Sequence, residues 1–475
     1  MMNEQTISFD ERLDQIPPLF TNDKKDEEQL KTVANYKRLI EYYMHDPDFR
    51  SFADKDLAQA IETYKIDVDP EKAKTFMFQN IYKLYEEAPE KVPLELLQYF
   101  AFYKEKINWR TRSQEYLNVP ENIAFKKWRK RQINRCWGEF SGANAEFVHV
   151  PVVFELSLGC SVGCPFCALA SQKLEKNFQA TSENIALWTD VLKCCKEIIG
   201  SAAGEGVCYF ASEPLDNPDY EKFIDIYRQI FGRTPQITTA IAMRNPERTR
   251  ELIKPRADST PIIHRFSILT LKTFRDIVNF FTPEELLYVE LLGRHKESLM
   301  YSITKAGRSF EQSNAANTET EILKTISCAS GFIINMADKS IRLSTPCNAD
   351  EKHPTGEIVI GKYYFSDIHD FKTLLLKIIA DNMPLSIDMQ KKLSFQKFYR
   401  YEETSEGFTL YGASKFAFKF QEPESHPFYR QVGAMIKSGK YTGREIAVQV
   451  NEATGTEFAV IFNFIRYLYN AGALI

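Results

Sequence analysis

The stretch Val152-Val-Phe-Glu-Leu-Ser-Leu-Gly-Cys160-Ser-Val-Gly-Cys164-Pro-Phe-Cys167 decides the fold of this chain. Its first half is a run of β-branched and aromatic residues that predicts a buried strand, and its second half places three cysteines in the spacing CxxxCxxC. Beyond it, the pattern predicts strands at 206–211, 236–242, 262–269 and 286–292, and helices at 183–199, 220–231, 246–253 and 270–281. This alternation predicts parallel strands joined by crossover helices.

The three cysteines fall in the loop that follows the first predicted strand. Active sites of β/α barrels lie in such loops, at the carboxyl ends of the strands. Thiolates are soft ligands that suit iron–sulfur clusters or zinc, and three of them leave one iron of a four-iron cluster open. Gly159 and Gly163 let the loop wrap tightly around such a group. A structural zinc site and a chance triplet are the alternatives, but zinc prefers four ligands and no further Cys or His lies close by.

The triplet, with Phe166 before its last cysteine, resembles the motif of radical S-adenosylmethionine (SAM) enzymes. The resemblance implies one four-iron–four-sulfur (4Fe-4S) cluster held by Cys160, Cys164 and Cys167, with SAM bound to the fourth iron. An electron from the cluster then releases a 5′-deoxyadenosyl radical, a cofactor chemistry that the protein positions and shields. Phe166 becomes a candidate SAM contact.

A second segment, Tyr209-Phe-Ala-Ser-Glu-Pro214, is similar to the Gly-Gly-Glu-Pro segment that holds the amino group of SAM in these enzymes. Glu213 keeps the carboxylate, while Ala211 and Ser212 replace both glycines. The resemblance makes Ser212 and Glu213 candidate cofactor contacts. The alternative is a loop glutamate before a proline turn.

A third segment, His264-Arg-Phe-Ser-Ile-Leu269, resembles the fourth strand of radical SAM enzymes. The polar end of that strand contacts the ribose or the carboxylate of SAM. Arg265 and Ser267 are therefore candidates, and simple packing or a surface ion pair is the alternative for each.

The overall composition limits the class of protein. The chain has 475 residues, 44% of them hydrophobic, with 35 Phe and 23 Tyr, enough for several domains with aromatic cores. A formal net charge of −4 gives no general attraction to nucleic acid or to an anionic membrane. The N-terminus lacks an apolar signal core, and we find no uncharged apolar run of about 20 residues. We therefore expect a cytoplasmic protein without a membrane span, in which nine cysteines favour metal chemistry over disulfides.

The cysteines outside the triplet argue against a second cluster. Only Cys328 and Cys347 follow the predicted barrel strands, and two thiols cannot hold an ordinary four-cysteine cluster. The others are expected to be buried apolar residues: Cys136, Cys194, Cys195 and Cys208. Cys347 differs because it ends a predicted strand behind Pro346. A thiol there could give a hydrogen atom to a carbon radical, and a loop cysteine without function is the alternative.

Several stretches together resemble the radical SAM amino-acid epimerases that mature ribosomally made peptides, of the proteusin type. They are Trp128-Arg-Lys-Arg-Gln-Ile-Asn-Arg135, His149-Val-Pro-Val-Val-Phe-Glu-Leu-Ser157, the cysteine triplet, Gly331-Phe-Ile-Ile-Asn-Met336 and Ile341-Arg-Leu-Ser-Thr-Pro-Cys347. The resemblance covers about residues 30–475 by order of segments. It implies that the adenosyl radical removes the Hα of an L-residue, and that Cys347 returns a hydrogen atom from the opposite face to give the D-residue.

The regions on either side of the barrel have patterns of their own. Residues 1–150 are largely helical, and their basic run Lys126-Lys-Trp-Arg-Lys-Arg131 is typical of a solvated helix face; a contact to an acidic peptide or to the cofactor's carboxylate is the alternative. Residues 331–346 predict a hairpin, and 367–380 a helix. A polar patch at 401–407 predicts a linker before strands at 408–411 and 415–420 and helices at 427–437, 442–451 and 457–470.

This C-terminal order is typical of a winged helix. Its last helix carries one arginine, which disfavours DNA binding. Small winged folds also recognise leader peptides by adding the peptide as an extra strand, and a purely structural cap is the alternative.

The sequence therefore predicts an α/β protein with a partial (β/α)6 TIM-like radical SAM barrel at 151–330. A helical region (1–150) precedes the barrel, and a region carrying the candidate hydrogen donor (331–400) and a winged-helix-like peptide-recognition module (401–475) follow it. The expected partners are a precursor peptide with its leader and an electron donor such as flavodoxin or ferredoxin, with no nucleic acid and no membrane. Two other functions stay open. One is a radical SAM peptide modifier that forms thioether or carbon–carbon crosslinks, and the other is a non-enzymatic metal- and peptide-binding protein.

Overall fold

The computed structural model describes residues 8–22, 26–78, 81–255, 262–312, 325–414, 416–421 and 428–475, which form a mixed α/β protein. The helices are α1 (Phe9–Asp14), α2 (Glu27–His45), α3 (Pro47–Ala53), α4 (Leu57–Thr63), α5 (Pro70–Phe78), α6 (Ile81–Glu87), α7 (Leu94–Arg112), α8 (Ile123–Phe140), α9 (Ser182–Ile199), α10 (Tyr220–Phe231), α11 (Pro246–Ile253), α12 (Leu271–Phe280), α13 (Arg308–Gln312), α14 (Ile368–Asn382), α15 (Phe428–Ser438), α16 (Gly443–Thr454) and α17 (Phe458–Asn470). The strands are β1 (Val150–Glu155), β2 (Ser157–Leu158), β3 (Lys176–Asn177), β4 (Thr238–Thr239), β5 (His264–Ile268), β6 (Val289–Gly293), β7 (Ala329–Asn335), β8 (Ser340–Pro346), β9 (Glu357–Tyr364), β10 (Arg400–Thr404), β11 (Gly407–Tyr411) and β12 (Ala417–Gln421). None of these helices is long and apolar enough to cross a membrane.

The N-terminal helices pack directly on the strand region. Asp46 ends α2 and its side chain caps α3, whose first residue is Pro47. Arg38 of α2 donates hydrogen bonds of 2.9 Å to the carbonyls of Val278 and Phe281. Residues of α2 to α5 share one apolar core with β5, α12 and β6. The N-terminal helices therefore buttress the parallel strands.

Parallel strand segments follow one another across the middle of the molecule. β1 pairs with β7, and β4, β5 and β6 pair in that order, all in parallel. The backbone N–H of Phe154 donates to the carbonyl of Val207 (2.9 Å), and Val207 forms a parallel bridge to Gln236, which joins the two groups. Within the described chain, β6 pairs only with β5, so the strands do not form a closed barrel.

The second and third predicted strands are much shorter than the sequence pattern suggested. The segment 206–211 makes only the bridge at Val207, and 236–242 contributes only that bridge and β4. At these positions backbone N–H groups donate to side-chain carboxylates and not to the carbonyls of a neighbouring strand. The N–H of Ala211 donates to Glu155 (2.8 Å), and the N–H of Ala240 donates to Glu213 (2.9 Å).

The predicted hairpin at 331–346 is confirmed by β7 and β8, which are antiparallel and joined by a turn at residues 336–339. β9 extends this sheet, which has the order β1-β7-β8-β9. Because β8 runs opposite to β1 and β7, its last residue lies at the end of the sheet where β1 begins. The predicted helix after this sheet is α14, which Asp367 caps.

The C-terminal unit contains the antiparallel sheet β10-β11-β12 and helices α15 to α17. The predicted linker at 401–407 is wrong, since β10 occupies most of it. Tyr401 stacks on Phe408 with ring centroids 5.5 Å apart, but the neighbouring glutamates make this segment look polar in the sequence. The predicted boundaries at Lys415 and Pro427 lie outside the described residues. The unit sits on α8, where the N–H of Ala413 donates to the carbonyl of Gly138 (2.9 Å).

Candidate active site

The cysteine loop begins directly after β2 and folds back on residues 172–174. The N–H of Cys160 donates to the carbonyl of Gln172 (3.0 Å), and the N–H of Leu174 donates to the carbonyl of Cys160 (3.2 Å). Gly159 has φ +87°, and a Cβ at this position would lie 2.3 Å from the carbonyl oxygen of Lys173. Only glycine fits this close approach, so the predicted tight wrap of the loop is confirmed at Gly159.

The three cysteine side chains are half-buried and lie near one another. Burial raises the pKa of Cys164, and the charges of Cys167 and Cys160 raise it further, because like charges oppose ionisation. The thiol of Cys167 lies 3.4 Å from the hydroxyl of Ser171. No three His, Cys, Asp or Glu side chains of the described chain are grouped so that they could hold a metal ion. The thiolates of a four-iron cluster bind separate irons and therefore stand farther apart than the ligands of one ion such as zinc.

Arg308 holds the cysteine loop in place through hydrogen bonds. Its guanidinium donates to the carbonyl of Cys164 (2.8 Å) and to the carbonyl of Ser171, and its backbone N–H donates to the carbonyl of Cys167 (3.0 Å). The preceding Gly307 has φ +56°, and a Cβ there would lie 2.4 Å from the carbonyl oxygen of Cys167. Sequence reasoning missed Arg308, since nothing in its local sequence marks it.

A polar network fixes the other side of the loop. Asp216, whose side chain is 1% exposed, accepts hydrogen bonds from the N–H (2.7 Å) and the hydroxyl (2.5 Å) of Ser161. Arg244 donates to both Asp216 and Ser161 at 2.9 Å. The network links the cysteine loop to the turn after Glu213 and to the end of the third strand segment. Asp216 was also missed, although it lies only three residues after Glu213.

Glu213 lies where the second and third strand segments end. Its carboxylate accepts from the N–H of Ala240 (2.9 Å) and of Leu215 (3.2 Å), and burial raises its pKa to about 7. Burial also raises the pKa of Cys160, and the nearby charge of Glu213 raises it further. The structure thus brings this predicted residue close to the triplet, with Ser212 half-buried beside it.

The two candidates on β5 share one face of the strand. His264, Phe266 and Ile268 are buried on the other face, so Arg265 and Ser267 alternate with them. The guanidinium of Arg265 lies 3.3 Å from the carboxylate of Glu290, directly across on β6. Arg265 is therefore already paired, whereas Ser267 lies opposite Leu292, nearer to the carboxyl end of the strands.

A cavity of about 440 Å³ opens beside Phe166 at the carboxyl ends of β5 and β6. Phe166 and Tyr301 provide aromatic walls, and Leu269 and Arg294 follow the two strands into it. Burial and the charge of Arg265 lower the pKa of Arg294, which lines the cavity, while the nearby charge of Cys164 raises it. Its volume falls within the range of small-molecule sites, which measure roughly 300–1,000 Å³.

Cys347 lies directly after β8 and is 4% exposed. Its backbone N–H donates to the carbonyl of Gly356 (3.0 Å), and burial raises the pKa of its thiol to about 12. The thiol therefore stays protonated at neutral pH. Because β8 is antiparallel to β7, Cys347 lies at the sheet end where β1 begins, and the triplet follows the opposite end of β1.

One segment nevertheless contacts both loops. The side chains of Ala168 and Ala349 pack into one small apolar cluster with Ala306. The N–H of Gly307 donates to the carbonyl of Pro354 (2.6 Å), and the next residue carries the guanidinium that holds the cysteine loop. The loop at 347–356 and the triplet loop are thus neighbours across residues 306–308.

The basic run on α8 is exposed at its lysines, as predicted, but the prediction of a solvated face is wrong for its arginines. Arg129 and Arg131 are buried, while the lysines between and before them are exposed. Arg129 donates to the carbonyl of His149 (2.8 Å), and Arg131 donates to the carbonyl of Pro384 (2.8 Å). Arg129 directs two N–H donors of its planar guanidinium to the same carbonyl oxygen, which compensates in part for its burial.

No protein-family model matches this chain, and no solved structure matches it. The chain is similar to the uncharacterized protein y4wI of Sinorhizobium fredii, with 29% identity over 458 residues. The similarity spans 94% of this chain and 88% of that protein. It therefore runs through the helical, strand and C-terminal regions together.

Proposed function

We propose that this protein is a radical SAM enzyme that converts L-residues to D-residues in a ribosomally made precursor peptide. The observation that carries the proposal is the cysteine loop, which follows the parallel strand β1 and the short strand β2 and lies beside a cavity lined by Phe166. The order of the parallel segments supports an open, partial (β/α)6 barrel as the frame of this site.

The chain would hold one 4Fe-4S cluster through Cys160, Cys164 and Cys167. When bound, this cluster supplies the electron that splits SAM into methionine and a 5′-deoxyadenosyl radical, which takes the Hα of an L-residue. The cavity at Phe166 would enclose the adenosine part of SAM. Glu213 would face the amino group of SAM, whose N–H groups would donate to the carboxylate and favour the ionised form that burial disfavours.

Cys347 would complete the reaction from the opposite side of the peptide. A hydrogen atom moves from its sulfur to the planar Cα radical, so a C–H bond forms, the S–H bond breaks and the unpaired electron stays on sulfur. One electron from a donor such as flavodoxin or ferredoxin, together with one proton from solvent, would restore the thiol. Hydrogen-atom transfer needs the protonated thiol, and a pKa near 12 preserves that form at neutral pH.

The peptide partner would dock on the C-terminal unit. β12 is an edge strand of its sheet, and the neighbouring helix α17 exposes Phe458, Val460 and Tyr467. An edge strand beside an apolar surface suits the addition of an extended leader segment as a further strand.

Incubation with the candidate peptide, SAM and a low-potential reductant in D₂O tests the proposal. The first peptides to test are the products of any short open reading frames beside the gene. We expect one added mass unit for each D-residue, together with 5′-deoxyadenosine. Deuterium absent from Cα would refute epimerisation, and a loss of two hydrogens would indicate a crosslink instead.

Two variants make the test specific. A variant with all three triplet cysteines replaced by alanine should form neither 5′-deoxyadenosine nor D-residues. Cys347→Ala should still form 5′-deoxyadenosine but yield little D-product. Unchanged epimerisation in Cys347→Ala would exclude this thiol as the donor.

A further inference from the structure

A buried ion pair lies on one face of α8. Arg135 and Glu139 are one helical turn apart, their side chains form a salt bridge, and each side chain is only 6–7% exposed. Buried ion pairs contribute little net stability, because the cost of removing both charges from water offsets their attraction. Stability alone therefore does not explain the pair, and its role follows from the hydrogen bonds that the two residues make to other parts of the protein.

The arginine binds the chain just before Cys347. Its guanidinium donates to the carbonyl oxygen of Pro346, which belongs to the peptide bond that leads into Cys347, and it approaches the hydroxyl of Thr345 at 3.4 Å. The thiol of Cys136, the next residue on α8, lies 3.7 Å from the same carbonyl. This peptide bond is thus held from one side by two neighbouring side chains.

The glutamate binds the chain just after Cys347. Its carboxylate accepts a hydrogen bond of 2.6 Å from the backbone N–H of Asn348, and its main-chain carbonyl accepts one of 3.3 Å from the Asn348 side-chain amide. The two members of the ion pair therefore grip the peptide units on either side of a single cysteine. On each side of Cys347, one of these contacts is made by a charged, buried side chain.

We propose that the Arg135–Glu139 pair is a positioning device that fixes the direction of the Cys347 thiol toward the reacting peptide. The purpose of that direction rests on the proposed function, but the grip on the loop can be tested without it. Glu139 and Arg135 are positioning residues here, since the sulfur of Cys347 is the atom that would react.

The electrostatics of the pair agree with this role. After burial, the charge of Glu139 raises the pKa of Cys347 and that of Arg135 lowers it. The two charges oppose each other at the sulfur. The pair can therefore hold the backbone on both sides of Cys347 through strong, charge-assisted hydrogen bonds. Because its two charges have opposite signs, their effects on the pKa of the thiol oppose each other.

The decisive variant is Arg135→Met/Glu139→Leu, because replacing a whole buried ion pair by apolar residues of similar volume usually preserves folding. Arg129→Met is the matched control, since Arg129 is also buried on α8 but binds the carbonyl of His149. The first readout is the alkylation rate of Cys347 in the folded, iron-free protein, followed by peptide mass spectrometry. The double variant should react about tenfold faster or more, because the loop opens more readily. The control should stay within about twofold of the wild type, as expected away from the loop.

The second readout is the number of 5′-deoxyadenosine molecules formed per D-residue. We expect this ratio to rise about tenfold in the double variant and to stay constant in Arg129→Met, even if both lose some activity. A merely structural role would lower both products together and leave the ratio unchanged, which would overturn the proposal. An unchanged alkylation rate in the folded double variant would overturn it as well.

The two readouts separate this proposal from the proposed function. If the wild type forms no D-residue, the proposed function fails, and the alkylation rates alone still decide whether the pair holds the loop. Should the double variant not fold, hydrogen exchange of the wild-type protein replaces it. The backbone N–H of Asn348, which donates to Glu139, should exchange slowly, and exchange at the rate of an unstructured amide would refute the proposed hold on the loop.

Discussion

Replacement of Arg308 by methionine should loosen the cysteine loop and shorten the lifetime of the proposed cluster. The guanidinium donates to two carbonyls of this loop, those of Cys164 and Ser171. Hydrogen bonds made by charged groups contribute roughly 1.5–3 kcal/mol each, so two of them amount to about 3 kcal/mol at the lower limit. At about 1.4 kcal/mol for each factor of ten, the loop should open about 100 times more often.

The assay is the rate at which the reconstituted protein loses iron to a ferrous chelator under anaerobic conditions. We expect Arg308→Met to lose iron about 100-fold faster than the wild type. Arg308→Lys should fall between them, since one ammonium group replaces a two-armed donor. Arg400→Met, which removes an exposed arginine paired with Glu402, is the control for the lost charge.

The reasoning would be refuted by an Arg308→Met protein that folds normally and loses iron at the wild-type rate. Hydrogen exchange of the iron-free protein gives an independent check. Residues 160–171 should exchange faster in the variant, while the N-terminal helices should keep their protection.

Three further predictions concern positions with defined backbone or protonation constraints. Gly159→Ala should abolish cluster incorporation, measured as iron per chain. The backbone φ of +87° and a carbonyl oxygen 2.3 Å from the new Cβ would force the loop apart, and normal iron content would contradict this. Burial lowers the pKa of His149 from 6.5 to about 3, so stability is lost as pH falls below 6.5, by about 2 kcal/mol at pH 5. His149→Asn, which tolerates the φ of +51° there, should flatten this pH dependence in urea unfolding at pH 7.5 and 5, and an unchanged dependence would exclude His149 as its source. Gly472→Ala should release the C-terminal unit to limited proteolysis, because the new Cβ would lie 2.5 Å from the backbone nitrogen of Arg135; wild-type resistance would show that the seat on α8 can adjust.

Local signals were sufficient to predict many elements of the fold. Helices α10 and α11 begin and end where their periodicity predicts, and Asn245 and Pro246 at the start of α11 act within one turn of the chain. The cysteine loop was also predictable, since its glycines and cysteines are contiguous. These features depend on residues that are neighbours in sequence.

Features that depend on distant partners could not be predicted. Arg308 is far from the cysteines in sequence, and its hydrogen bond to the loop forms only because the fold brings residues 306–308 against the loop. The strand predicted at 206–211 is longer than the observed one. The backbone N–H of Ala211 donates to the side chain of Glu155, which is distant in sequence, and not to a neighbouring strand. The basic run on α8 looked solvated because its charge is visible in the sequence, whereas the carbonyl partners of Arg129 and Arg131 are not.

The seat of the C-terminal unit on α8 has a mechanical consequence. Ala413 and Gly472 contact this helix at Gly138 and Arg135, within the same turn that holds the Cys347 loop. Positions three and four residues apart on a helix are neighbours, so the contacts to the C-terminal unit and to the loop adjoin each other. A rotation or release of the C-terminal unit would therefore act through a single turn of helix on the loop that carries the thiol.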